Sequence, residues 1–121
     1  MERKFDLDER LINFAVAIIE ISETLPKTFA GNHIAGQLVR SGTSPALNYG
    51  EAQSAESRKD FIHKMKLSTK ELRETFNCLR IIGRKNWYTE QKLLSILNEN
   101  NQLISIFVKS IQTAQNNNKA K

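Results

Sequence analysis

Long runs of apolar residues at alternating steps of four and three constrain this chain more than any other feature of its sequence. In the first run, Leu7, Leu11 and Phe14 begin a series that continues every three or four residues as far as Leu25. That spacing places the side chains on one face of a helix and is typical of the seam between packed helices. Two further runs, in the predicted third and fourth helices, follow the same rule, whereas the predicted second helix is irregular and has Ile34 and Leu38 on its apolar face. No stretch shows the every-second-residue alternation of a strand. We therefore predict an all-α protein, an antiparallel up-down-up-down four-helix bundle.

Breaks in this apolar pattern set the predicted ends of the helices. Glycine (5) and proline (2) are scarce, so long regular elements are expected. The predicted helices cover about residues 6–25, 30–54, 57–84 and 89–114, in a single domain spanning residues 1–121 with a frayed tail at 116–121. Pro45 falls inside helix 2, where a proline removes a backbone hydrogen bond. We expect helix 2 to be kinked or broken near Pro45; in the second case Ser44 would cap a new segment.

Composition excludes several classes of protein. A chain of 121 residues fits one domain with a real hydrophobic core. Cys78 is the only cysteine, so an internal disulfide is impossible and a reducing compartment is expected. The N-terminal stretch lacks the pattern of a signal peptide, and no apolar run approaches the ~20 residues that span a bilayer. We expect a cytoplasmic protein with no membrane role.

The predicted third helix carries a stripe of basic residues. The net charge of +5 is concentrated in residues 27–92, which hold 12 basic and 6 acidic side chains. Eight residues, named here the basic stripe, recur at steps of four and three on the side of the helix opposite its apolar seam: Lys59, His63, Lys66, Lys70, Arg73, Asn77, Arg80 and Arg84. Glu74, four residues after Lys70, is expected to relieve part of the repulsion between them.

Two interpretations of the basic stripe remain open from the sequence. One is an ordinary solvated outer face, since charged outer faces are the norm for bundle helices. The other is a surface that follows the phosphates of RNA or DNA. The candidate nucleic-acid-binding residues are then the seven charged or titratable members: Lys59, His63, Lys66, Lys70, Arg73, Arg80 and Arg84.

A polar ridge crosses the predicted second helix. Arg40, Ser44 and Asn48 stand at four-residue steps, and Glu51 follows three residues later, so all four lie on one face. We interpret this polar ridge as structural, a set of hydrogen-bonding groups that fixes the register of the bundle. The alternative is that it lines a groove or an oligomer channel. It holds no nucleophile beside a base and no second carboxylate beside Glu51, so it is a poor catalytic site.

The same stretch resembles the 23S rRNA intervening-sequence protein family, whose members are often labelled four helix bundle protein. The resemblance covers nearly the whole chain. It is carried by Arg40-Ser41, Ser44, Asn48-x-x-Glu51, Ser57, Asp60-Phe61 and Glu71-Leu72. The departures are Pro45, where isoleucine is usual, and Ala52, where glycine is usual; they bear on the geometry of helix 2.

That resemblance implies partners and an assembly. It implies a four-helix bundle that forms a ring-shaped homopentamer and has no established enzymatic activity. The family is also similar to the accessory proteins of diversity-generating retroelements, which are basic pentamers that bind nucleic acid and a reverse transcriptase. Possible partners are therefore RNA or DNA, and a protein such as a reverse transcriptase.

The remaining chemistry-bearing residues indicate little. His33, His63 and Cys78 have no companions at ligand spacing, so we expect no metal, no cofactor and no catalytic residues. Trp87 and Tyr88 either stack on bases or pack the end of the bundle. Ile12 belongs to a second apolar flank on helix 1, which requires a second neighbour in the bundle or another subunit. The functional hypothesis is a non-enzymatic oligomeric protein that binds nucleic acid through the basic stripe, with RNA as the leading candidate; the sequence does not distinguish RNA from DNA. The alternative is a protein-binding or self-assembling scaffold with no nucleic-acid role.

Overall fold

The computed structural model describes the backbone of residues 4–120 and the side chains of residues 7–117. The chain forms four helices: α1 (Lys4–Ser22), α2 (Phe29–Gln53), α3 (Arg58–Arg84) and α4 (Glu90–Ala120). No strand occurs within residues 4–120. The prediction of an all-α four-helix bundle is confirmed.

The helices pack in chain order around one core. Each helix packs extensively against the next, whereas α1 and α4 touch over a shorter stretch. At that α1–α4 edge, Arg10 of α1 forms a salt bridge of 2.8 Å with Glu99 of α4. The core contains the apolar seams read from the sequence, and its largest fully buried apolar side chains are Leu11, Ile18, Leu38, Met65, Leu72, Leu79, Ile82, Leu103 and Phe107.

Capping residues set several of the helix ends. Thr28 Oγ1 accepts a hydrogen bond of 3.0 Å from the Gly31 amide at the start of α2, and Ser57 Oγ accepts one of 3.0 Å from the Asp60 amide at the start of α3. Asn86 adopts a positive φ of 56° just after α3, the left-handed conformation that often closes a helix.

Two helices differ in length from the expectation. α1 ends at Ser22, three residues before Leu25, although Leu25 is still buried in the core. α4 continues to Ala120, through residues where the sequence predicted a frayed tail. No proline or glycine interrupts the chain between Glu90 and Ala120, so nothing in the backbone chemistry stops the helix earlier.

Pro45 does not interrupt α2. The helix runs without a break from Phe29 to Gln53, so Ser44 caps no second segment. Its hydroxyl instead donates to the Arg40 carbonyl at 2.7 Å, and the Thr43 hydroxyl donates to the Val39 carbonyl at the same distance. The Pro45 ring is fully buried, and burying that apolar surface offsets part of the cost of the missing backbone hydrogen bond.

Small and polar residues fix α3 against its neighbours. Thr75 Oγ1 lies 2.8 Å from Ser41 Oγ of α2, and both residues are fully buried. On the other side, the buried amide of Asn100 reaches the α3 backbone: it donates to the Leu72 carbonyl at 3.1 Å and accepts from the Phe76 amide at 3.2 Å. Because buried polar groups must be paired, these contacts hold α3 in one register. Its outer face is therefore presented in a defined orientation.

Candidate nucleic-acid interface

The basic stripe lies on the outer face of α3. All eight of its residues are exposed, from Lys59 in the first turn to Arg84 in the last. Twenty-five residue steps of helix correspond to a length of roughly 37 Å. The α3 core seam faces inward along the same length, with Met65, Leu72 and Leu79 fully buried. The stripe is therefore one continuous strip of surface.

None of the six lysines and arginines of the basic stripe is ion-paired with a carboxylate within residues 7–117. One side-chain hydrogen bond occurs inside the stripe, from Arg80 Nη1 to Asn77 Oδ1 at 3.2 Å. Like charges at four-residue spacing repel each other by a few tenths of a kcal/mol in an isolated helix. The stripe thus concentrates positive charge that this part of the chain leaves without a partner.

Two carboxylates of α3, Glu71 and Glu74, are drawn away from the stripe by Arg40 of α2. One Arg40 nitrogen lies 3.2 Å from Glu71 Oε1, and the other bonds Glu74 and also donates to Gln37 Oε1 at 2.8 Å. The expected pairing of Lys70 with Glu74 is therefore wrong. The reason is geometric: a guanidinium offers several donors in a fixed fork and holds two carboxylates at once, which an ammonium on a flexible stem does less well.

The polar ridge is split between two kinds of contact. Its ends, Arg40 and Glu51, reach α3, where Glu51 Oε1 lies 2.7 Å from Lys64 Nζ. This hydrogen bond, followed by the charge of the same carboxylate, raises the pKa of Lys64. In the middle, Ser44 bonds its own helix, and half-buried Asn48 makes no side-chain hydrogen bond with the part of the chain that the structure describes. The ridge thus contributes three cross-helix ion pairs, two from Arg40 and one from Glu51.

Two cavities open along the groove between α3 and α4, one at each end. The first, about 590 Å³, is lined by Arg58 and Phe61 of α3 and by α4 residues that include Ile106 and Lys109. The second, about 370 Å³, lies beside the α3–α4 turn, where Arg80 and Arg84 form part of its wall. Roughly 30 Å of α3 separates the two. The spacing of residues within α3 could not reveal these cavities, because α4 contributes a large part of each wall.

The aromatic pair of the α3–α4 turn is divided between two environments. Trp87 and Tyr88 are both half-buried. Lys85 Nζ lies 5.7 Å from the centre of the Trp87 ring, within the range of a cation–π contact. Tyr88 lines the second cavity together with Leu93, Leu94 and Leu97 of α4. Stacking on bases and packing at the end of the bundle therefore have to be considered separately for Trp87 and for Tyr88.

An apolar strip lies on the outer face of α1. Ile12, Val16 and Ile19 expose 44%, 48% and 38% of their surface, although they follow helical spacing. These three residues, named here the α1 strip, belong to the second apolar flank read from the sequence. No other helix of the described chain covers them, so contiguous apolar surface of this kind is available for contact with another molecule.

The groups that could support metal or thiol chemistry lie apart. His33 and His63 are exposed on different helices, and no group of three potential metal ligands occurs among the described residues. Cys78 is buried, and burial raises the pKa of its thiol, with a smaller contribution from the charge of Glu74 in the same direction and an opposing one from Arg40. A protonated, buried thiol is a poor nucleophile. No helix in the described chain is both long and apolar enough to cross a bilayer.

Comparison with known proteins agrees with the architecture. Residues 3–109 match the family described as 23S rRNA-intervening sequence protein. A solved protein of unknown function from the S23 ribosomal protein family of Bacteroides thetaiotaomicron VPI-5482 is 30% identical, with a TM-score of 0.81; the alignment covers 87% of this chain and 97% of that one. No curated protein matches the chain. The resemblance carried by Arg40, Ser44, Asn48 and Glu51 is confirmed, and the chain belongs to the 23S rRNA-intervening sequence protein family.

Proposed function

We propose that this protein binds nucleic acid, RNA in the first place, through the basic stripe of α3. The observation that carries the proposal is the separation of charge on that helix. Six exposed cations have no carboxylate partner within residues 7–117, while Glu71 and Glu74 are held by Arg40. These two glutamates of α3 therefore do not neutralise the centre of its outer face.

The physical chemistry of phosphates fits such a surface. A protein that places cations against several phosphates releases the counterions condensed on the nucleic acid, and this release drives association. The mutual repulsion along the stripe is relieved at the same time, because each phosphate lies between positive charges. A helix face with six unpaired cations thus gains more from a polyanion than a face of alternating sign would.

The protein acts by binding and not by catalysis in this proposal. The description of the matched family names no enzymatic reaction. Both charged residues of the polar ridge, Arg40 and Glu51, form ion pairs with α3. Nothing in those contacts supplies an activated nucleophile or a general base.

Assembly into a homo-oligomer belongs to the same proposal, and the family resemblance implies a pentamer. The α1 strip supports it, since three exposed apolar residues at helical spacing are suited to contact with another subunit. In a ring, each subunit presents its own basic stripe, so one long nucleic acid contacts several stripes and binds with avidity. A reverse transcriptase as protein partner is expected only from the family resemblance.

A protein-binding or self-assembling scaffold is the second candidate function. The α1 strip favours it, because this surface needs a partner whether or not the basic stripe has one. The dependence of affinity on salt concentration distinguishes the two functions. Phosphate contacts make affinity fall steeply between about 50 and 200 mM salt, whereas apolar association weakens little over that range.

A pair of charge reversals with equal net charge tests the proposal. Lys66→Glu combined with Lys70→Glu alters the centre of the basic stripe, and Lys27→Glu combined with Lys92→Glu alters two exposed lysines elsewhere. Binding to a labelled single-stranded RNA is measured by fluorescence anisotropy over a range of salt concentrations. We expect the stripe variant to lose at least about tenfold in affinity at low salt and about 1.4 in the slope of log affinity against log salt.

The control decides whether location or total charge matters. If both double variants weaken RNA binding equally, only the overall charge of the protein acts, and the basic stripe is not the interface. If the parent protein fails to bind RNA or DNA at any salt concentration, the proposed function is wrong and the scaffold alternative stands. Circular dichroism of all variants shows whether the helices are retained.

A further inference from the structure

The α3–α4 turn carries a cavity that the basic stripe alone does not explain. Phosphate contacts need only exposed cations, yet at the C-terminal end of the stripe the structure forms a recess of about 370 Å³. Its lining is of three kinds: apolar Leu93, Leu94 and Leu97, the Tyr88 ring, and polar groups at the rim. Recesses of this size with mixed lining are typical of sites for small ligands.

The polar rim of the cavity is basic on the α3 side. Arg80 and Arg84 line it, and the same two residues also line a neighbouring cavity of about 540 Å³. The two guanidinium groups therefore stand between two recesses. Because Arg80 and Arg84 are also the last two cations of the basic stripe, a strand that follows the stripe arrives here with its phosphates beside both recesses.

The floor of the cavity offers an apolar platform at that point. Leu94 exposes 58% of its surface although it borders a strongly basic region. Leu93 also lines the cavity and is buried, and Gly83 of α3 allows the two helices to approach closely, since a Cβ there would lie 2.8 Å from Leu93 Cδ2. Half-buried Tyr88 adds an aromatic side chain to the lining, and aromatic side chains are groups on which bases stack regardless of sequence.

Hydrogen-bonding groups complete the rim. The Asn86 side chain has an amide donor and a carbonyl acceptor, and its backbone is held in the left-handed conformation that ends α3. Glu90, in the first turn of α4, lines the same cavity and supplies carboxylate acceptors. Amides and carboxylates are groups that read the polar edge of a base. The cavity thus combines groups for three features of a nucleotide. An aromatic side chain suits the face of the base, the amide and carboxylate suit its polar edge, and the two arginines suit its phosphate.

We infer that this cavity accepts an unpaired nucleobase from a nucleic-acid strand whose phosphates contact Arg80 and Arg84. The inference rests on the proposed function and goes further, because it names the form of nucleic acid that is preferred. A base inside a duplex is stacked and paired, so it enters the cavity only after unstacking. The protein therefore prefers single-stranded segments, loops and bulges to a continuous duplex of the same charge.

Ligands with the same number of phosphates test the inference in isolation. Fluorescence anisotropy compares a single-stranded RNA, a strand of equal length made of abasic nucleotides, and a fully paired duplex of half that length, which has the same total number of phosphates. Base stacking strengthens binding by on the order of fivefold or more per stacked base. We expect the single strand to bind at least about fivefold more tightly than the abasic strand. The phosphate contacts remain in both, so both lose affinity as salt is raised.

Matched surface variants locate the effect. Leu94→Asn makes the cavity floor polar, and Leu47→Asn makes the same change at a leucine on α2 that is 69% exposed. Tyr88→Leu keeps an apolar group and removes the aromatic face. We expect Leu94→Asn and Tyr88→Leu to lower affinity for the single strand about fivefold while leaving the abasic strand unchanged, and Leu47→Asn to change neither.

Each outcome separates this inference from the proposed function. Equal binding of the single strand and the abasic strand by the parent protein overturns the base site and leaves the phosphate-binding stripe intact. Equal effects of Leu94→Asn and Leu47→Asn overturn its location. Failure of the parent to bind any of the three ligands overturns the proposed function and this inference with it.

Discussion

Replacing Gly42 by alanine tests how closely α1 and α2 approach each other. A Cβ built at Gly42 would lie 2.6 Å from Ile18 Cγ2, 2.9 Å from Cγ1 and 3.1 Å from Cβ of the same residue. Ile18 is fully buried, and its β-branched side chain has one strongly preferred rotamer in a helix. It cannot turn away from the new methyl group, so the two helices have to separate.

The size of the effect follows from two opposing contributions. Alanine in place of glycine stabilises a helix interior by about 1 kcal/mol. Overpacking a well-packed core typically costs about 1–3 kcal/mol, and contacts this short place Gly42 toward the upper end of that range. We expect a net loss of about 1–2 kcal/mol, or a Tm lower by about 3–8 °C for a chain of this length.

Two other glycines of α2 provide matched controls. Gly36 and Gly50 are exposed, and a Cβ at either meets nothing within 4 Å. Alanine at either position meets no neighbour, so only the higher helix propensity of alanine affects the free energy of unfolding. Gly36→Ala and Gly50→Ala should therefore each stabilise the protein by about 0.5–1 kcal/mol. Urea unfolding followed by circular dichroism, at one fixed protein concentration, measures all three variants.

A double-mutant cycle assigns the cost to the named contact. Ile18→Ala removes both γ carbons, so adding Gly42→Ala to it should no longer destabilise the protein; Ile18→Val keeps both γ carbons and should give no relief. A Gly42→Ala protein as stable as the parent, or more stable, would refute the reasoning. Equal cost of Gly42→Ala in the parent and in the Ile18→Ala background would show that the strain lies elsewhere.

Two more predictions concern α3 and its neighbours. Asn100→Ala removes a fully buried side chain and its two hydrogen bonds to the α3 backbone, so we expect a loss of about 1–3 kcal/mol in urea unfolding, against almost none for the exposed neighbour Asn101→Ala. Equal losses in the two variants would contradict that role. Arg40→Gln releases two carboxylates beside the basic stripe, so RNA affinity in the anisotropy assay should fall a few-fold while stability drops by less than about 1 kcal/mol, because Arg40 is half-exposed. Unchanged RNA affinity would show that these acids do not influence the outer face.

The fold could be predicted from the sequence because the information is local. Alternation of four and three residues and scarce glycine and proline are read within a few turns of helix. Contacts between helices are not local in this sense. The fully buried amide of Asn100 bonds Leu72 and Phe76, which lie on another helix, so its partners could not be read from the sequence.

The course of α2 at Pro45 shows where local rules stop. The missing N–H and the ring of a proline favour a kink or a break when the helix is considered alone. In the bundle, α2 packs against both α1 and α3, and Pro45 itself is fully buried. Packing on two sides outweighs the local penalty, so the helix remains one element.

The candidate site depends on contacts between helices more than on any single helix. Spacing identified the eight residues of the basic stripe but predicted the wrong partner for Glu74, because the pairing four residues away competes with Arg40 from α2. That competition gives α2 a role in function. By holding Glu71 and Glu74 on the α2 side, one arginine keeps two negative charges from neutralising Lys70 and Arg73. The basic character of the outer face is thus partly a property of the α2–α3 interface, and a change at Arg40 alters the electrostatic potential of a surface that Arg40 does not itself belong to.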